Sequence, residues 1–183
     1  MFKLKALAVI LGTVGSLMAP AVASADRNCP GPVVAQDREE IQELITSYGV
    51  FRDYRQGAAW ASTFTDDGEL SFPLDANPTG ARKVVKGKAD LTAYGATGST
   101  TDVFAHAPLS TIMVKTGPST IKAFTPVGTV QTKTNQLLAA TFNGFGAYTD
   151  DIVKTPKGWR FQKRYATTYA AGQLPAEIMP CTK

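Results

Sequence analysis

The sequence is poor in the side chains that enzymes most often use to hold metals or to form covalent intermediates. Its 183 residues include one histidine, His106, and two cysteines, Cys29 and Cys181. Zinc hydrolases need several closely spaced ligands, so a single histidine excludes their usual patterns. The chain also lacks a P-loop and a Gly-x-Ser-x-Gly motif, and Gly144-Phe145-Gly146 lacks the third glycine of a dinucleotide loop. We therefore predict no metal site and no cofactor.

The net charge of the chain is also small, with 19 basic residues against 15 acidic ones. Lys3 and Lys5 belong to the extreme N-terminus, and without them the net charge is about +2, spread along the chain. Nucleic-acid binding normally requires clustered Lys and Arg side chains that neutralise phosphates. We expect no nucleic-acid partner.

The first 25 residues have the pattern of a secretory signal peptide. Lys3 and Lys5 precede an apolar run at 6–18, and Ala23-Ser24-Ala25 is a small-x-small cleavage site. The run is too short for a transmembrane anchor. We predict cleavage before Asp26 and a secreted or periplasmic protein with no membrane anchor, although an N-terminal core helix is an alternative interpretation.

Export changes the interpretation of the two cysteines, which lie near opposite ends of the mature chain. In an oxidising compartment Cys29 and Cys181 are candidates for a disulfide that joins the termini. Such a bond closes a long loop, and the chain-entropy model gives it about 4 kcal/mol of stabilisation. The alternative is two unpaired thiols. We divide the mature chain into a leader at 26–35, one domain at 36–170 and a tail at 171–183.

The first part of the domain has helical periodicity. Asp37 and Glu40 resemble a capping box, and an apolar stripe then recurs at helical spacing until Gly57. The stripe consists of Ile41, Leu44, Ile45, Tyr48 and Phe51. A second short helix carries Trp60 and Phe64 and ends at Asp66-Asp67-Gly68, and a third is predicted at about 89–94.

The rest of the domain alternates as β-strands do. We predict short strands at 69–74 and 84–85, then longer ones at 103–115, 121–132, 137–153 and 159–169. The last two flank a Pro-Lys-Gly turn and form a long hairpin. Gly144 and Gly146 mark bulges or bends of a curved sheet. Helices followed by strands indicate the α+β class.

Three polar residues are candidates for acid–base chemistry. His106 shares the even positions of its predicted strand with Phe104, Ser110 and Ile112, so it would face a pocket if that face points inward. A structural hydrogen bond is the alternative role for His106. Asp53 lies off the apolar stripe of its helix and reaches a pocket only if the helix ends or bends there; otherwise it is a solvated helix-end carboxylate. Tyr48 lies on the stripe and lines either the core or the pocket.

Asp150 and Arg164 fall on the two strands of the predicted hairpin. A carboxylate and a guanidinium at facing positions of adjacent strands form cross-strand ion pairs. We therefore predict that this pair is structural.

The order and spacing of these residues resemble a SnoaL-like domain of the nuclear transport factor 2-like superfamily. The resemblance covers most of 37–169 and rests on the helical stripe through Asp53, Phe64-Thr-Asp-Asp-Gly68, His106, Tyr148-x-Asp150 and Gly158-Trp-Arg-Phe161 with Arg164. It implies a cone-shaped, strongly curved mixed β-sheet that encloses an apolar pocket with about three helices. It also implies a homodimer.

Dehydratase-like members of that superfamily use an aspartate and a histidine with a tyrosine beside them, and the motif of bile-acid 7α-dehydratase corresponds to Tyr48, Asp53 and His106. The resemblance thus implies a lyase or isomerase that acts on a small hydrophobic cyclic molecule. The predicted pocket wall consists of Trp60, Phe72, Phe104, Ser110, Ile112 and Phe142. The chain departs from the pattern in having one histidine where scytalone dehydratase uses two. The alternative function is a noncatalytic module that binds an apolar small molecule or a partner protein.

Overall fold

The computed structural model describes residues 31–74, 80–99, 101–135, 140–168 and 178–179. The predicted signal peptide, Cys29 and Cys181 lie outside the described residues. The helices are α1 (Ala35–Asp53), α2 (Gly57–Ala61) and α3 (Lys88–Gly95). The strands are β1 (Phe64–Pro73), β2 (Arg82–Lys86), β3 (Asp102–Pro108), β4 (Ile112–Gly117), β5 (Thr120–Lys133), β6 (Thr141–Thr155) and β7 (Gly158–Thr168).

The strands form one mixed sheet that curls around the helices without closing. Its order is β2-β1-β7-β6-β5-β3, with β4 paired to β5 beyond the end of β3. Strands β1 and β7 pair in parallel, and the other pairs are antiparallel. The predicted α+β class, the curved mixed sheet and the β6–β7 hairpin are confirmed.

The core lies between the concave face of the sheet and the helices. The α1 stripe of Ile41, Leu44, Ile45 and Tyr48 is buried, as its spacing predicted. It packs against apolar side chains of the sheet such as Ile152 and Phe161. Burial of this stripe fixes which face of α1 meets the sheet and so sets the direction of its C-terminal end.

The predicted strand at 103–115 is in fact two strands separated by a bulge. Three residues, 109–111, lie opposite two residues of β5, and the Leu109 N–H donates to the Pro126 carbonyl at 2.8 Å. One extra residue reverses the alternation of side chains between the two faces. Phe104 and His106 therefore point inward from β3, whereas Ile112 points outward from β4 and Met113 is buried.

The start of α1 also differs from the prediction. The helix begins at Ala35, Val34 is its N-cap residue, and no side chain caps it. Asp37 instead accepts hydrogen bonds from the Lys154 Nζ at 2.7 Å and the Trp159 Nε1 at 3.1 Å. The carboxylate predicted as a cap thus ties the first turn of α1 to the β6–β7 hairpin.

The second helix is shorter than predicted, because Phe64 already belongs to β1. The Thr63 hydroxyl donates to the Trp60 carbonyl, and the Phe161 N–H donates to the Thr63 carbonyl. The chain therefore leaves the helix and joins β7 immediately. None of the described helices is both long and apolar enough to cross a membrane.

Candidate active site

A cavity of about 430 Å³ lies between α1, α3 and the concave face of the sheet. One part of its wall is apolar and aromatic, and the other part is polar and charged. The apolar part consists of Tyr48, Leu70, Phe72, Tyr94, Phe104, Tyr148 and Ala166. The polar part consists of Arg52, Asp53, Arg55, Gly98, Ser99, Asp102 and His106.

Asp53 and His106 meet in the polar part of this wall. One carboxylate oxygen of Asp53 contacts the His106 ring nitrogen Nδ1, and the other accepts the His106 backbone N–H at 2.8 Å. The side chains are 12% and 23% exposed respectively, so the pair is sheltered but reachable from the cavity. A carboxylate on Nδ1 favours the tautomer in which Nδ1 carries the proton and Nε2 has the lone pair. The arrangement can therefore serve as an oriented base.

The end of α1 explains how Asp53 reaches His106. Asp53 is the last residue of the helix and continues a row at four-residue spacing formed by Ile41, Ile45 and Gly49, all of them buried. A Cβ at Gly49 would lie only 3.5 Å from the His106 Cβ. A side chain longer than that of alanine at Gly49 would therefore hold α1 away from β3, and the next residue of the row meets the histidine.

Two tyrosines line the cavity beside this pair. Burial raises the pKa of Tyr48 to about 12, with a nearby Arg164 acting in the opposite direction. Burial also raises the pKa of Tyr148 well above its usual value. Both hydroxyls consequently keep their protons at neutral pH and are available as hydrogen-bond donors. The rings of Tyr148 and Tyr48 pack edge to face, with centroids 5.7 Å apart.

Arg164 supports these rings from within the core. It is fully buried and makes two hydrogen bonds to Asp150, at 2.8 and 2.7 Å. Its guanidinium carbon lies 4.1 Å from the ring centroid of Tyr48 and 4.2 Å from that of Tyr148. The predicted structural pair is confirmed, and it fixes the aromatic wall of the cavity.

The structure brings together five of the predicted site residues and corrects four. Tyr48, Asp53, Phe72, Phe104 and His106 all line the cavity. Trp60 is fully buried in the core, where it packs between Tyr48 and Phe64. Ser110 lies in the bulge and is exposed, and Ile112 lies beyond it on the outer face, 42% exposed.

Phe142 is the fourth correction. It is 57% exposed and packs on Phe145 outside the cavity, with ring centroids 4.6 Å apart. One residue, Asn143, is inserted in β6 between the pairings of Phe142 and Gly144, so the alternation extrapolated from the middle of the strand fails there. The bulge that Gly144 was expected to mark is confirmed, and it turns Phe142 outward.

Several residues of the wall were not predicted as site residues. Arg52 and Arg55 follow the helical stripe and have no motif, and Tyr94 and Ser99 come from α3 and the loop after it. Tyr148 could have been found, because it is two residues before Asp150 and therefore shares its face of β6. Within the described ranges, no group of three or more His, Cys, Asp or Glu side chains is placed to hold a metal ion.

The fold is shared with proteins of the nuclear transport factor 2-like type. An NTF2-like protein with a cystatin-like fold from Novosphingobium aromaticivorans superposes with a TM-score of 0.62 at 23% identity, over 75% of this chain and 84% of that one. A scytalone dehydratase-like protein from the same organism gives 0.60 at 16% identity, over 73% and 84%. A protein from Catenulispora acidiphila in complex with S-DNPA gives 0.58 at 15%, over 74% and 95%.

No curated protein matches the sequence. The family model of the SnoaL-like domain, however, matches residues 33–165. That segment contains α1 to α3, the paired Asp53 and His106, and all but the last residues of β7. The chain therefore belongs to the SnoaL-like domain family.

Proposed function

We propose that the protein is a lyase or isomerase of the dehydratase or cyclase type, acting on a small hydrophobic cyclic substrate. The observation that carries this proposal is the double contact of Asp53 with the ring and the backbone of His106, in a cavity whose other wall is apolar and aromatic. A base held in this way is oriented before the substrate arrives. Two of the similar solved structures support this proposal: one is of a scytalone dehydratase-like protein, and the other contains a bound small molecule.

The reaction begins with removal of a proton from a carbon next to a carbonyl group. Nε2 of His106 accepts the proton, and Asp53 stabilises the resulting imidazolium through Nδ1. The electron pair moves into an enolate, and the Tyr48 hydroxyl donates a hydrogen bond to its oxygen. Positioned general bases typically contribute about 10²- to 10⁴-fold to the rate.

The enolate then collapses in one of two ways. In a dehydration it expels a hydroxyl group from the β-carbon, and this group takes the proton from Nε2 and leaves as water. In an isomerisation the same proton returns to a different carbon. Both routes restore neutral His106, so the enzyme turns over without an external reactant.

A bicyclic β-hydroxyketone tests the proposal. Loss of water from 3-hydroxy-1-tetralone gives an enone that tautomerises to 1-naphthol, which is easily followed by fluorescence. We expect the protein to accelerate this reaction, and His106→Ala and Asp53→Asn to remove the acceleration while circular dichroism stays unchanged. Arg38→Gln, on the exposed side of α1, is the matched control.

The same experiment distinguishes the alternative function. A noncatalytic binding module would raise its melting temperature with the ketone but form no naphthol, and Asp53→Asn would have little effect on it. Exchange of the protons next to the carbonyl of 2-tetralone in D₂O measures proton removal alone, and so separates it from the collapse of the enolate. Turnover of 3-hydroxy-1-tetralone that persists in His106→Ala would eliminate the mechanism.

We further propose that the protein acts outside the cytoplasm, on the basis of Ala23-Ser24-Ala25 and the apolar run before it. Cleavage before Asp26 would leave Cys29 and Cys181 in an oxidising compartment, where they would pair. Intact mass of the exported protein, measured with and without reductant, tests both statements. A mass that retains residues 1–25 contradicts the first, and two alkylated thiols contradict the second.

A homodimer is the last part of the proposal. Val103, Ala105 and Ala107 of β3 are exposed on the outer face of the sheet, opposite Phe104 and His106. Phe142 and Phe145 lie over Gly128 of β5, which pairs with Ala107. These five residues are called the outer apolar face here. A contiguous exposed patch of this kind favours association with a second copy.

A further inference from the structure

We propose that the cavity recognises a carboxylate on its substrate through Arg52 and Arg55. The inference rests on the proposed function in that the same cavity binds the ring system whose chemistry His106 performs. It adds a chemical class to the substrate: an apolar ring bearing a negatively charged carboxyl group. Arg52 lies in the last turn of α1, Arg55 comes two residues after the helix ends, and both line the polar part of the wall.

Arg52 is held in position by the loop after α3. Its Nη1 donates to the Thr97 carbonyl at 2.7 Å, and its guanidinium carbon lies 4.9 Å from the ring centroid of Tyr94. Neither partner neutralises its charge. A guanidinium has five N–H donors, so these contacts fix its plane and leave donors for a ligand.

Arg55 is directed to the cavity by an uncommon backbone conformation. Its φ of 57° makes it the one non-glycine residue with positive φ in the described part of the chain. Such a conformation costs on the order of 1 kcal/mol or more for a residue other than Gly, Asn or Asp. Its side chain lies against Gly98, where a Cβ would come within 2.6 Å of the Arg55 Nε. A glycine in the facing loop therefore makes room for this guanidinium.

The negative charges of the wall already have partners. Asp53 binds His106, and Asp102 accepts hydrogen bonds from Ser99, Gln131 and Lys133. Among the described residues neither Arg52 nor Arg55 forms an ion pair. In the described part of the chain, the cavity thus has two guanidiniums that are not ion-paired with a carboxylate, beside an apolar wall.

That combination fits one kind of ligand better than others. A carboxylate matches the fork of a guanidinium, and the bond strengthens in a partly buried site. The aromatic wall of Phe72, Tyr94 and Phe104 suits a ring system. A neutral ring compound would fill the same space but give neither guanidinium a carboxylate partner.

The test compares 2-naphthoate with methyl 2-naphthoate by isothermal titration calorimetry. The two compounds share the ring and differ in the charged group, and neither is a β-hydroxyketone. We expect the wild-type protein to bind the acid more tightly than the ester. Arg52→Gln and Arg55→Asn should each weaken binding of the acid roughly tenfold or more and leave the ester unchanged. Asn tolerates positive φ, so Arg55→Asn removes the charge without adding backbone strain.

Three controls make the result specific. Arg38→Gln removes an exposed arginine of the same helix and should bind both compounds as the wild type does. Arg52→Lys keeps the charge and should retain part of the preference if the variant with Gln proves unstable. In His106→Ala the preference for the acid should persist, which separates recognition by the arginines from attraction to a protonated histidine.

Equal affinity for acid and ester, or no measurable binding of the acid, would overturn the proposal. The proposal would also be overturned if His106→Ala lost the preference for the acid while both arginine variants retained it. Because calorimetry measures binding without turnover, the preference for the acid can be determined even if the proposed catalytic mechanism is wrong. Conversely, loss of carboxylate recognition leaves the dehydration of a neutral ketone as an independent test of the mechanism.

Discussion

The guanidinium of Arg164 shows how a charged group is accommodated in an otherwise aromatic core. Asp150 binds it with both carboxylate oxygens, and three rings surround it, those of Tyr48, Tyr148 and Phe161. Its Nη1 has no hydrogen-bond partner among the described residues. The guanidinium therefore depends on Asp150 as its single carboxylate partner. The three rings add cation–π attraction to the faces of the guanidinium plane.

Removal of that carboxylate should be strongly destabilising. We expect Asp150→Ala to lower the free energy of unfolding by about 3–5 kcal/mol, because it leaves a buried charge unpaired. The double variant Asp150→Leu with Arg164→Met should lose much less, since both charges are gone. Urea denaturation of the single and double variants measures the coupling. A loss below about 1 kcal/mol in Asp150→Ala would mean that water reaches the guanidinium.

The tautomer of His106 is the second prediction at this scale. Asp53 accepts from both the backbone N–H and Nδ1, so the ring proton belongs on Nδ1. In Asp53→Asn the amide oxygen can still accept the backbone N–H, but its NH₂ group then faces Nδ1 and forces the ring proton onto Nε2. We expect ¹⁵N NMR to show this exchange of tautomers. Identical ring spectra in the two proteins would contradict the orienting role of Asp53.

Among the elements, the contact between α1 and β3 decides whether the site forms. A Cβ added at Gly49 would meet the His106 Cβ at the distance of an ordinary van der Waals contact. Gly49→Ala should therefore be accepted, with a gain of up to about 1 kcal/mol from lower backbone entropy in the unfolded chain. Gly49→Leu should push the helix away from the strand. A displacement of about 1 Å can reduce turnover roughly 10²-fold.

Turnover of 3-hydroxy-1-tetralone, together with thermal unfolding, separates the two Gly49 variants. The alanine variant should stay active and the leucine variant should lose activity more than stability. If the leucine variant kept full activity, the close approach of helix and strand would be irrelevant to the site.

The other end of α1 provides a pH-dependent contact. The hydrogen bond from Lys154 lowers the pKa of Asp37 below the ordinary value of an aspartate, while partial burial acts in the opposite direction. A carboxyl group whose pKa is lower in the folded state stabilises the protein above the unfolded pKa and loses this contribution as the pH falls through the folded pKa. The contact should thus be fully present at neutral pH and disappear in strong acid.

We expect Asp37→Asn to lower the free energy of unfolding by about 1 kcal/mol at pH 7, because the neutral amide loses the ion pair with Lys154 and accepts weaker hydrogen bonds. The difference from the wild type should shrink below about pH 4. Chemical denaturation at several pH values measures it, with Arg38→Gln as the control on the same turn. A difference that stays constant down to pH 2 would assign the effect to packing rather than charge.

In these elements some features could be predicted from the sequence and others could not. Helical spacing identified the buried stripe through Tyr48, because burial follows the 3.6-residue period. It missed Asp53 because the stripe was built from apolar residues alone, whereas the row that leads to Asp53 passes through Gly49. The bulge at 109–111 could not be read from alternation, since one inserted residue changes the face of every later side chain without changing composition.

For the molecule as a whole, the order of helices and strands was enough to give the α+β class, and the glycines of β6 together with the family resemblance gave the curvature of the sheet. Three distant segments form the polar part of the cavity wall: the end of α1, the loop after α3 and the inward face of β3. The composition of its wall depends on contacts such as that of Arg55 with Gly98, which no local pattern encodes. The resemblance to a family predicted the pair of Asp53 and His106, and the tertiary approach of α1 to β3 explains it.

The outer apolar face leads to the last prediction, which concerns association. A charge within this face, as in Phe145→Glu, should weaken a dimer roughly thirtyfold or more, because buried aromatic anchors carry much of the energy of an interface. Val84→Glu is the control, since Val84 is 53% exposed but lies on the far edge strand β2. Sedimentation equilibrium over the micromolar range measures both variants. If the wild type is monomeric throughout, or if Phe145→Glu associates as the wild type does, this face does not join two copies.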